Sequence, residues 1–143
     1  MKKFIIIFIT IVIVILALIY GYFTYNDNIK TIKQENAIYE EYYQKEIYGA
    51  DLATVINKAI NSNETNYIEK DNKGAYIENN TNSIKIDIHI LDNDTTYNME
   101  TFYNNGIDKF VENYNIIQFK CTSIEYHSET GKIKYMLFEQ ITT

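Results

Sequence analysis

The feature that most constrains this chain is an uninterrupted apolar run near its N-terminus. No charged residue lies between Phe4 and Phe23, and most of the run is isoleucine, valine, leucine and phenylalanine. Twenty residues in an α-helix cover about 30 Å, which matches the hydrocarbon thickness of a bilayer. Because every backbone group in lipid must find its partner within the segment, the run predicts a single membrane-spanning helix over residues 4–25.

The charges that flank the run predict its orientation. Lys2 and Lys3 precede it directly, whereas the other flank opens on Asn26 and Asp27. Basic residues are retained on the cytoplasmic side, so we expect residues 1–3 in the cytoplasm and everything beyond the run outside the cell membrane. A cleaved secretory signal is the alternative, but it would have a shorter apolar stretch that ends in small residues.

Charge and composition exclude several functions. Every basic residue is a lysine, so the bidentate clamps that guanidinium groups form on phosphate are absent. Beyond the run, eleven lysines stand against nineteen acidic residues, a net charge of −8 that repels nucleic acid. His89 and His127 fall on the polar faces of predicted strands, and Cys121 is the single cysteine. The sequence therefore predicts no catalytic residue, no metal site and no cofactor.

A helical pattern continues past the apolar run. Residues 26–48 contain no glycine or proline, so we expect the membrane helix to continue as a solvated stalk helix. One face carries a candidate partner surface, formed by Ile29, Ile32, Asn36, Tyr39, Tyr42 and Tyr43. Two uses of this stripe stay open: it packs on the domain's own sheet, or it pairs with another protein or a second copy of the chain.

Residues 49–143 predict one small domain. Apolar periodicity predicts a short helix over residues 52–60, which the asparagine-rich stretch 61–66 ends. The elements expected after it are a hairpin around residues 71–74, strands over 83–91 and 95–102, a short helix over 107–114, and a closing hairpin of strands 117–127 and 132–141. The fold class is therefore α+β: a transmembrane helix continuing into a solvated helix, a second short helix, then an antiparallel β-sheet with one inserted short helix.

Strand alternation also assigns side chains to faces. In the last strand it places Ile133, Tyr135, Leu137 and Ile141 on one side. Cys121 shares the phase of an apolar neighbour two residues earlier, which predicts a buried thiol rather than a nucleophile.

The order of elements resembles that of type IV pilin-like subunits, in which an apolar helix continues into an amphipathic helix and a sheet follows. The resemblance implies a structural subunit whose helices pack together in a filament. It covers the order of elements. At the positions where those proteins have a leader ending in glycine and an early glutamate, this chain has Lys3-Phe4 and Phe8-Ile9.

These observations predict a single-pass, membrane-anchored interaction or assembly module outside the cytoplasm. It would contact lipid through residues 4–25 and a protein partner through the stalk helix, without binding nucleic acid. An accessory or sensor subunit of a membrane or secretion complex is the alternative. An enzyme is disfavoured, because the polar residues converge on no catalytic motif.

Overall fold

The computed structural model describes residues 2–141, which divide into two units. The first unit extends to Gln34, and the second begins at Glu35. A single helix, α1 (Lys2–Glu40), makes up the first unit and supplies its last turns to the second. Among the described residues, α1 is the one helix whose length and composition would allow it to cross a membrane.

The second unit has the α+β class that the sequence predicts. Its elements after α1 are β1 (Glu46–Tyr48), α2 (Gly49–Thr65), β2 (Lys85–Ile90), β3 (Thr95–Asn98), α3 (Met99–Asn104), α4 (Ile107–Tyr114), β4 (Gln118–Tyr126) and β5 (Ile133–Gln140). The apolar faces of α2, α3 and α4 pack with the inward side chains of the strands in one core. The second unit therefore has a helical layer on a single sheet.

The sheet is mixed, whereas the sequence predicts an antiparallel one. The strand order is β1-β4-β5-β2-β3, and β2 runs parallel to β5 while the other three pairings are antiparallel. The cause is the route of the chain after β3. The helices α3 and α4 carry the chain from β3, at one edge of β2, to the opposite edge of β2. The β4–β5 hairpin therefore enters the sheet between β1 and β2. A helical crossover of this kind allows two strands to run parallel.

Two short helices occupy the place where one was expected. The strand predicted over residues 95–102 ends at Asn98, whose side chain accepts the Thr101 N–H at 2.9 Å. Asparagine favours this capping position because its side-chain oxygen satisfies an N–H that the first helical turn leaves free. The second half of the predicted strand is therefore α3.

The helix expected over residues 26–48 ends at Glu40. Gln44 has a φ of 60°, which is incompatible with a right-handed helix, and its N–H donates to the carbonyl oxygen of Cys121. Ile47 is then buried in β1. Pairing with the sheet therefore ends the helix before its sequence pattern does.

The asparagine-rich stretch 61–66 does not end α2 where the sequence predicts, since the helix continues to Thr65. Asn63 lies fully buried at this point. Its Nδ2 donates to the Ile84 carbonyl oxygen at 2.7 Å, and its Oδ1 accepts the Ile84 N–H at 2.8 Å. Because the Asn63 side chain is bonded to the backbone of Ile84, directly before β2, it does not compete for the backbone of its own helix.

The last strand buries a different set of residues from the one that simple alternation predicts. Ile133, Met136 and Phe138 are in the core, where Ile133, Tyr135 and Leu137 were expected. The register between β4 and β5 shifts after Ile133, so that one residue of β5 has no partner in β4. Such a bulge adds one residue and reverses the phase beyond it.

The turn expected at residues 71–74 is present, but its flanks are not strands. The carboxylate of Asp71 accepts two backbone N–H groups of the turn, at 2.8 and 2.9 Å. One bridged pair, Lys70 and Tyr76, joins the two flanks. The segment is therefore a closed turn in a loop rather than a hairpin.

Candidate functional site

A groove of about 440 Å³ lies between the last turns of α1 and the second half of α2. We call it the α1–α2 groove. One wall is formed by Glu35, Asn36, Ile38 and Tyr39 of α1, the other by Lys58, Asn61, Ser62, Thr65 and Asn66 of α2 and its end, and the floor by Asn82, Ile84, Lys132 and Ile133. This volume is in the range of small-ligand sites and is large enough for the side chains of a few peptide residues.

Asn36 holds the α1 wall on the sheet. Its side chain donates from Nδ2 to the Gly131 carbonyl oxygen at 2.8 Å and accepts the Ile133 N–H at Oδ1 at 3.0 Å. These two bonds satisfy backbone groups at the start of β5, where no strand continues. Tyr39 lies one turn later in α1 and is part of the core.

Asn63 holds the α2 wall in a corresponding way, through its two hydrogen bonds to Ile84. Ile84 directly precedes β2, and Ile133 opens β5. Since β2 and β5 are parallel neighbours, the contacts of Asn36 and Asn63 lie at the same end of the sheet. Both walls of the groove are thus fixed to the sheet by a buried asparagine.

The two histidines hold structural contacts. His127 was expected on an exposed face but is buried directly after the end of β4, because its ring lies against the backbone of the segment that leads into β2. Its Nε2 is 2.8 Å from the Ser83 carbonyl oxygen, and a carbonyl only accepts, so Nε2 carries a proton. His89 is half-buried, with Nδ1 3.2 Å from Thr96 Oγ1 and Nε2 3.5 Å from Asp94 Oδ1. In the described part of the chain no three metal-binding side chains lie together.

The structure separates the six residues of the predicted partner surface. Asn36 and Tyr39 are buried, Tyr42 is half-buried against the core, Tyr43 is exposed, and Ile29 and Ile32 are half-buried residues of the first unit. Packing on the domain's own sheet is therefore observed for Asn36 and Tyr39. Binding of a partner by the stripe stays a prediction.

The α2 wall of the groove was missed by sequence reasoning. Four of its five side chains come from the stretch 61–66, which was interpreted as the end of the helix, and Lys58 comes from the predicted helix itself. One sequence signal was available: Lys58, Ser62, Thr65 and Asn66 lie at positions i, i+4, i+7 and i+8, as on one face of a helix. An amphipathic helix can present such a polar face to a ligand as well as to solvent.

Two of the three charged residues of the groove form an ion pair, and the third does not. Lys132 Nζ lies 2.7 Å from Glu35 Oε2, so these two charges neutralise each other. Lys58 Nζ lies 5.8 Å from the centroid of the Tyr42 ring, and in the described part of the chain no carboxylate lies within ion-pairing distance of it. Lys58 therefore gives the groove one positive charge that an ion pair does not neutralise.

Alkaline pH should destabilise the second unit through Tyr39. Burial raises the pKa of Tyr39 to about 12, against a lowering hydrogen bond with Ser62 and with a further raising effect of the Glu35 carboxylate. An unfolded tyrosine ionises near pH 10. The pKa of Tyr39 is higher in the folded state than in the unfolded state. The contribution of neutral Tyr39 to the stability of the fold is therefore complete below pH 10 and is lost as the pH rises through 12. We expect Tyr39 alone to lower the free energy of unfolding by about 1.4 kcal/mol per pH unit in that window.

Urea unfolding between pH 8 and 12 measures this slope. Tyr39→Phe should have a shallower pH dependence than the unsubstituted chain, because the group that titrates is gone. Tyr67 is 91% exposed, so Tyr67→Phe serves as the control and should keep the original slope. Equal slopes for the two variants would show that Tyr39 ionises freely in the folded state.

Cys121 should be unreactive in the native chain. The thiol is fully buried, as the sequence predicts, and burial raises its pKa to about 11. Since the thiolate is the nucleophile, we expect no reaction with a maleimide at pH 7 and one adduct per chain in urea, detected by mass spectrometry. Thr54→Cys, at an exposed position of α2, should react at once in the native chain. Modification of Cys121 at a comparable rate would contradict the prediction.

Glu100 carries the one buried side-chain oxygen without a partner among the described residues. Its Oε1 accepts the Tyr76 N–H at 3.0 Å, whereas Oε2 is unpaired. Glu100→Gln keeps the acceptor for Tyr76 and puts an amide NH2 where Oε2 already lacks a partner, so we expect the free energy of unfolding to change by no more than about 1 kcal/mol. Glu100→Ala leaves the Tyr76 N–H unpaired and should be less stable than the glutamine variant in urea unfolding. A glutamine variant as unstable as the alanine variant would indicate that Oε1 does not hold the Tyr76 N–H.

Comparison with known proteins identifies no relative of this chain. Protein-family models, curated proteins and solved structures were all compared with it, and none matched.

Proposed function

We propose that this chain is a single-pass membrane protein whose second unit lies outside the cytoplasm and binds a protein partner in the α1–α2 groove. The groove is the observation that carries this proposal, because it combines the apolar side chains of Ile38, Ile84 and Ile133 with polar side chains of α1 and α2. Protein interfaces likewise combine apolar contacts with polar ones. The length and composition of α1 support the anchor, and Lys2 and Lys3 support a cytoplasmic N-terminus.

The proposed role is binding rather than catalysis, because the side chains that commonly catalyse reactions have structural contacts here. His127 bonds to the Ser83 carbonyl oxygen, and His89 lies beside Thr96. Burial raises the pKa of the Cys121 thiol and so disfavours its nucleophilic form.

Cysteine labelling tests the orientation. Lys73 lies on the exposed turn described above, so Lys73→Cys should react with a membrane-impermeant maleimide in intact cells. Lys3→Cys is the matched control and should react only after the membrane is permeabilised. Cys121 can remain in both variants because it is buried. The opposite labelling pattern would refute the proposed orientation.

Photo-crosslinking in intact cells tests the binding role. Ile38 is 44% exposed at the rim of the groove, and Tyr103 is 39% exposed on α3, outside the groove. A benzoylphenylalanine side chain at position 38 should yield a defined adduct with a second protein, whereas the same group at position 103 should not. Adducts at neither position, or equally at both, would contradict binding in the groove.

A structural subunit is the second candidate, and α1 is the observation that favours it. A helix of 39 residues packs its last turns on the sheet through Asn36 and Tyr39, and this layout resembles that of type IV pilin-like subunits. In this case the adduct formed at position 38 would contain a second copy of the chain, at twice its mass of 16.9 kDa. An adduct with a different membrane protein would favour an accessory subunit instead.

A further inference from the structure

The charge of the α1–α2 groove is opposite to the charge of the domain around it. The chain beyond the apolar run has eleven lysines and nineteen acidic residues, a net charge of −8. The charged residues that line the groove are Lys58, Lys132 and one acidic residue, Glu35. Because Glu35 and Lys132 are paired, the positive charge comes from Lys58. A site of this charge in an acidic domain favours a ligand group with a negative charge.

The groove also offers apolar contact next to this charge. Ile38 is 44% exposed on the α1 wall. Ile84 and Ile133 form the apolar part of the floor. An apolar side chain of a ligand that packs on Ile38 would remove this surface from water, at about 25 cal/mol for each Å² buried.

Amide groups complete the site. Asn66 uses its Nδ2 to bond Ser62, which leaves its Oδ1 as an acceptor. Asn82 uses its Oδ1 to accept from Asn79 and Thr81, which leaves its Nδ2 as a donor. One free acceptor and one free donor in the same groove match the N–H and C=O of a peptide backbone.

Other ligand classes fit less well. A sugar ring would stack on an exposed aromatic face, but Tyr39, the aromatic residue of the groove, is 5% exposed. A nucleic acid would meet the net negative charge of the surrounding domain. An extended peptide uses the charge, the apolar wall and the free amides together.

We infer that the α1–α2 groove binds an extended segment of a partner protein in which an acidic residue lies next to an apolar one. The carboxylate contacts Lys58, the apolar side chain packs on Ile38, and the peptide backbone bonds to Asn66 and Asn82. This inference rests on the proposed binding role of the groove and specifies the chemistry of the partner.

Selection from a displayed library of random heptapeptides tests the inference. The target is the full chain in nanodiscs of zwitterionic lipid, so that the lipid headgroups add no net charge. Enriched peptides should combine aspartate or glutamate with isoleucine, leucine, valine or phenylalanine. Lys58→Glu should change the selection to peptides rich in lysine and arginine, because it reverses the one unpaired charge of the groove.

The control is Lys73→Glu, which makes the same charge change on an exposed turn outside the groove. It should select the same acidic peptides as the original chain. For the most enriched peptide, fluorescence anisotropy should show at least a tenfold higher Kd with Lys58→Glu and an unchanged Kd with Lys73→Glu. Ile38→Ser should also weaken binding, since it removes the apolar contact.

Three outcomes would overturn the inference: no enriched peptide, enriched peptides without an acidic excess, or equal effects of Lys58→Glu and Lys73→Glu. The proposed function is tested separately by crosslinking at Ile38. If adducts form there in cells while the library gives no acidic peptides, the groove binds a partner of different chemistry. If neither result is obtained, both the inference and the proposed function are wrong.

Discussion

Replacing Asn63 with alanine is expected to lower the free energy of unfolding by about 4 kcal/mol, because it leaves two buried backbone groups unpaired. Asn63 is fully buried and supplies both a donor and an acceptor to Ile84, at 2.7 and 2.8 Å. Each group that loses its partner in the protein interior costs roughly 1–3 kcal/mol. Small domains are stable by about 5–15 kcal/mol, so this loss is a large part of the total.

Urea unfolding followed by circular dichroism measures the effect. Asn61→Ala is the matched control, since Asn61 is an exposed residue of the same helix, and its effect should be within about 0.5 kcal/mol. Asn63→Asp keeps the acceptor for the Ile84 N–H but places an oxygen against the Ile84 carbonyl, so it should be as damaging as alanine. If alanine at position 63 cost no more than alanine at position 61, the two hydrogen bonds would not hold α2 to β2.

Gly49→Ala is expected to destabilise the second unit by about 3 kcal/mol, the upper part of the range for overpacked sites. Gly49 opens α2 directly after β1, and its N–H donates to the Ile117 carbonyl oxygen at 2.9 Å. A Cβ at this position would overlap the backbone carbonyl group of Tyr114. Because the obstructing atoms are backbone, no change of side chain at Tyr114 can relieve the overlap, and α2 must move away from α4.

Thermal unfolding measures this prediction, and the midpoint should fall by about 10 °C or more. Gly21→Ala is the control, because a Cβ added to this helical glycine meets no atom within 4 Å. It should leave the midpoint of the second unit unchanged. A midpoint for Gly49→Ala within about 2 °C of the original chain would show that α2 and α4 can separate at little cost.

The sequence predicts those elements whose apolar period is regular and uninterrupted. The alternation of Ile86, Ile88 and Ile90 correctly predicts a strand that is buried on one face. The spacing of Ile107, Phe110, Val111 and Tyr114 correctly predicts α4. In these segments the local pattern and the tertiary environment favour the same structure, so the pattern is sufficient to predict the element.

The sequence fails where a tertiary contact overrides the local pattern. The alternation in β5 continues unbroken through Tyr135, and the bulge that reverses it depends on the pairing with β4. His127 is buried by a contact with the Ser83 carbonyl oxygen, 44 residues earlier in the chain. The asparagines around Asn63 resemble a helix end in composition, and the backbone of Ile84, which prevents that, lies 21 residues away. Such contacts leave no mark within a local window of sequence.

The α1–α2 groove illustrates the same limit. Asn36 and Tyr39 were identified as residues of a stripe, but the partners of Asn36, at Gly131 and Ile133, are about a hundred residues away in the chain. Most of the α2 residues that face them lie in the stretch 61–66, which was interpreted as the end of the helix. Sequence periodicity can thus identify the face of one helix, whereas a groove requires knowledge of which two faces meet.

The position of β5 has a consequence for how the chain folds. It is the last strand to be synthesised among those described, yet it lies in the middle of the sheet, between β4 and β2. Before it is made, β2 and β4 have no strand between them, and Asn36 lacks the backbone groups that it binds. Contacts between residues so far apart in the chain slow folding, because the long loops between them must close first. The second unit is therefore expected to complete its sheet only after residue 140 has been synthesised, and until then the edges of β2 and β4 are open to mispairing and to proteolysis.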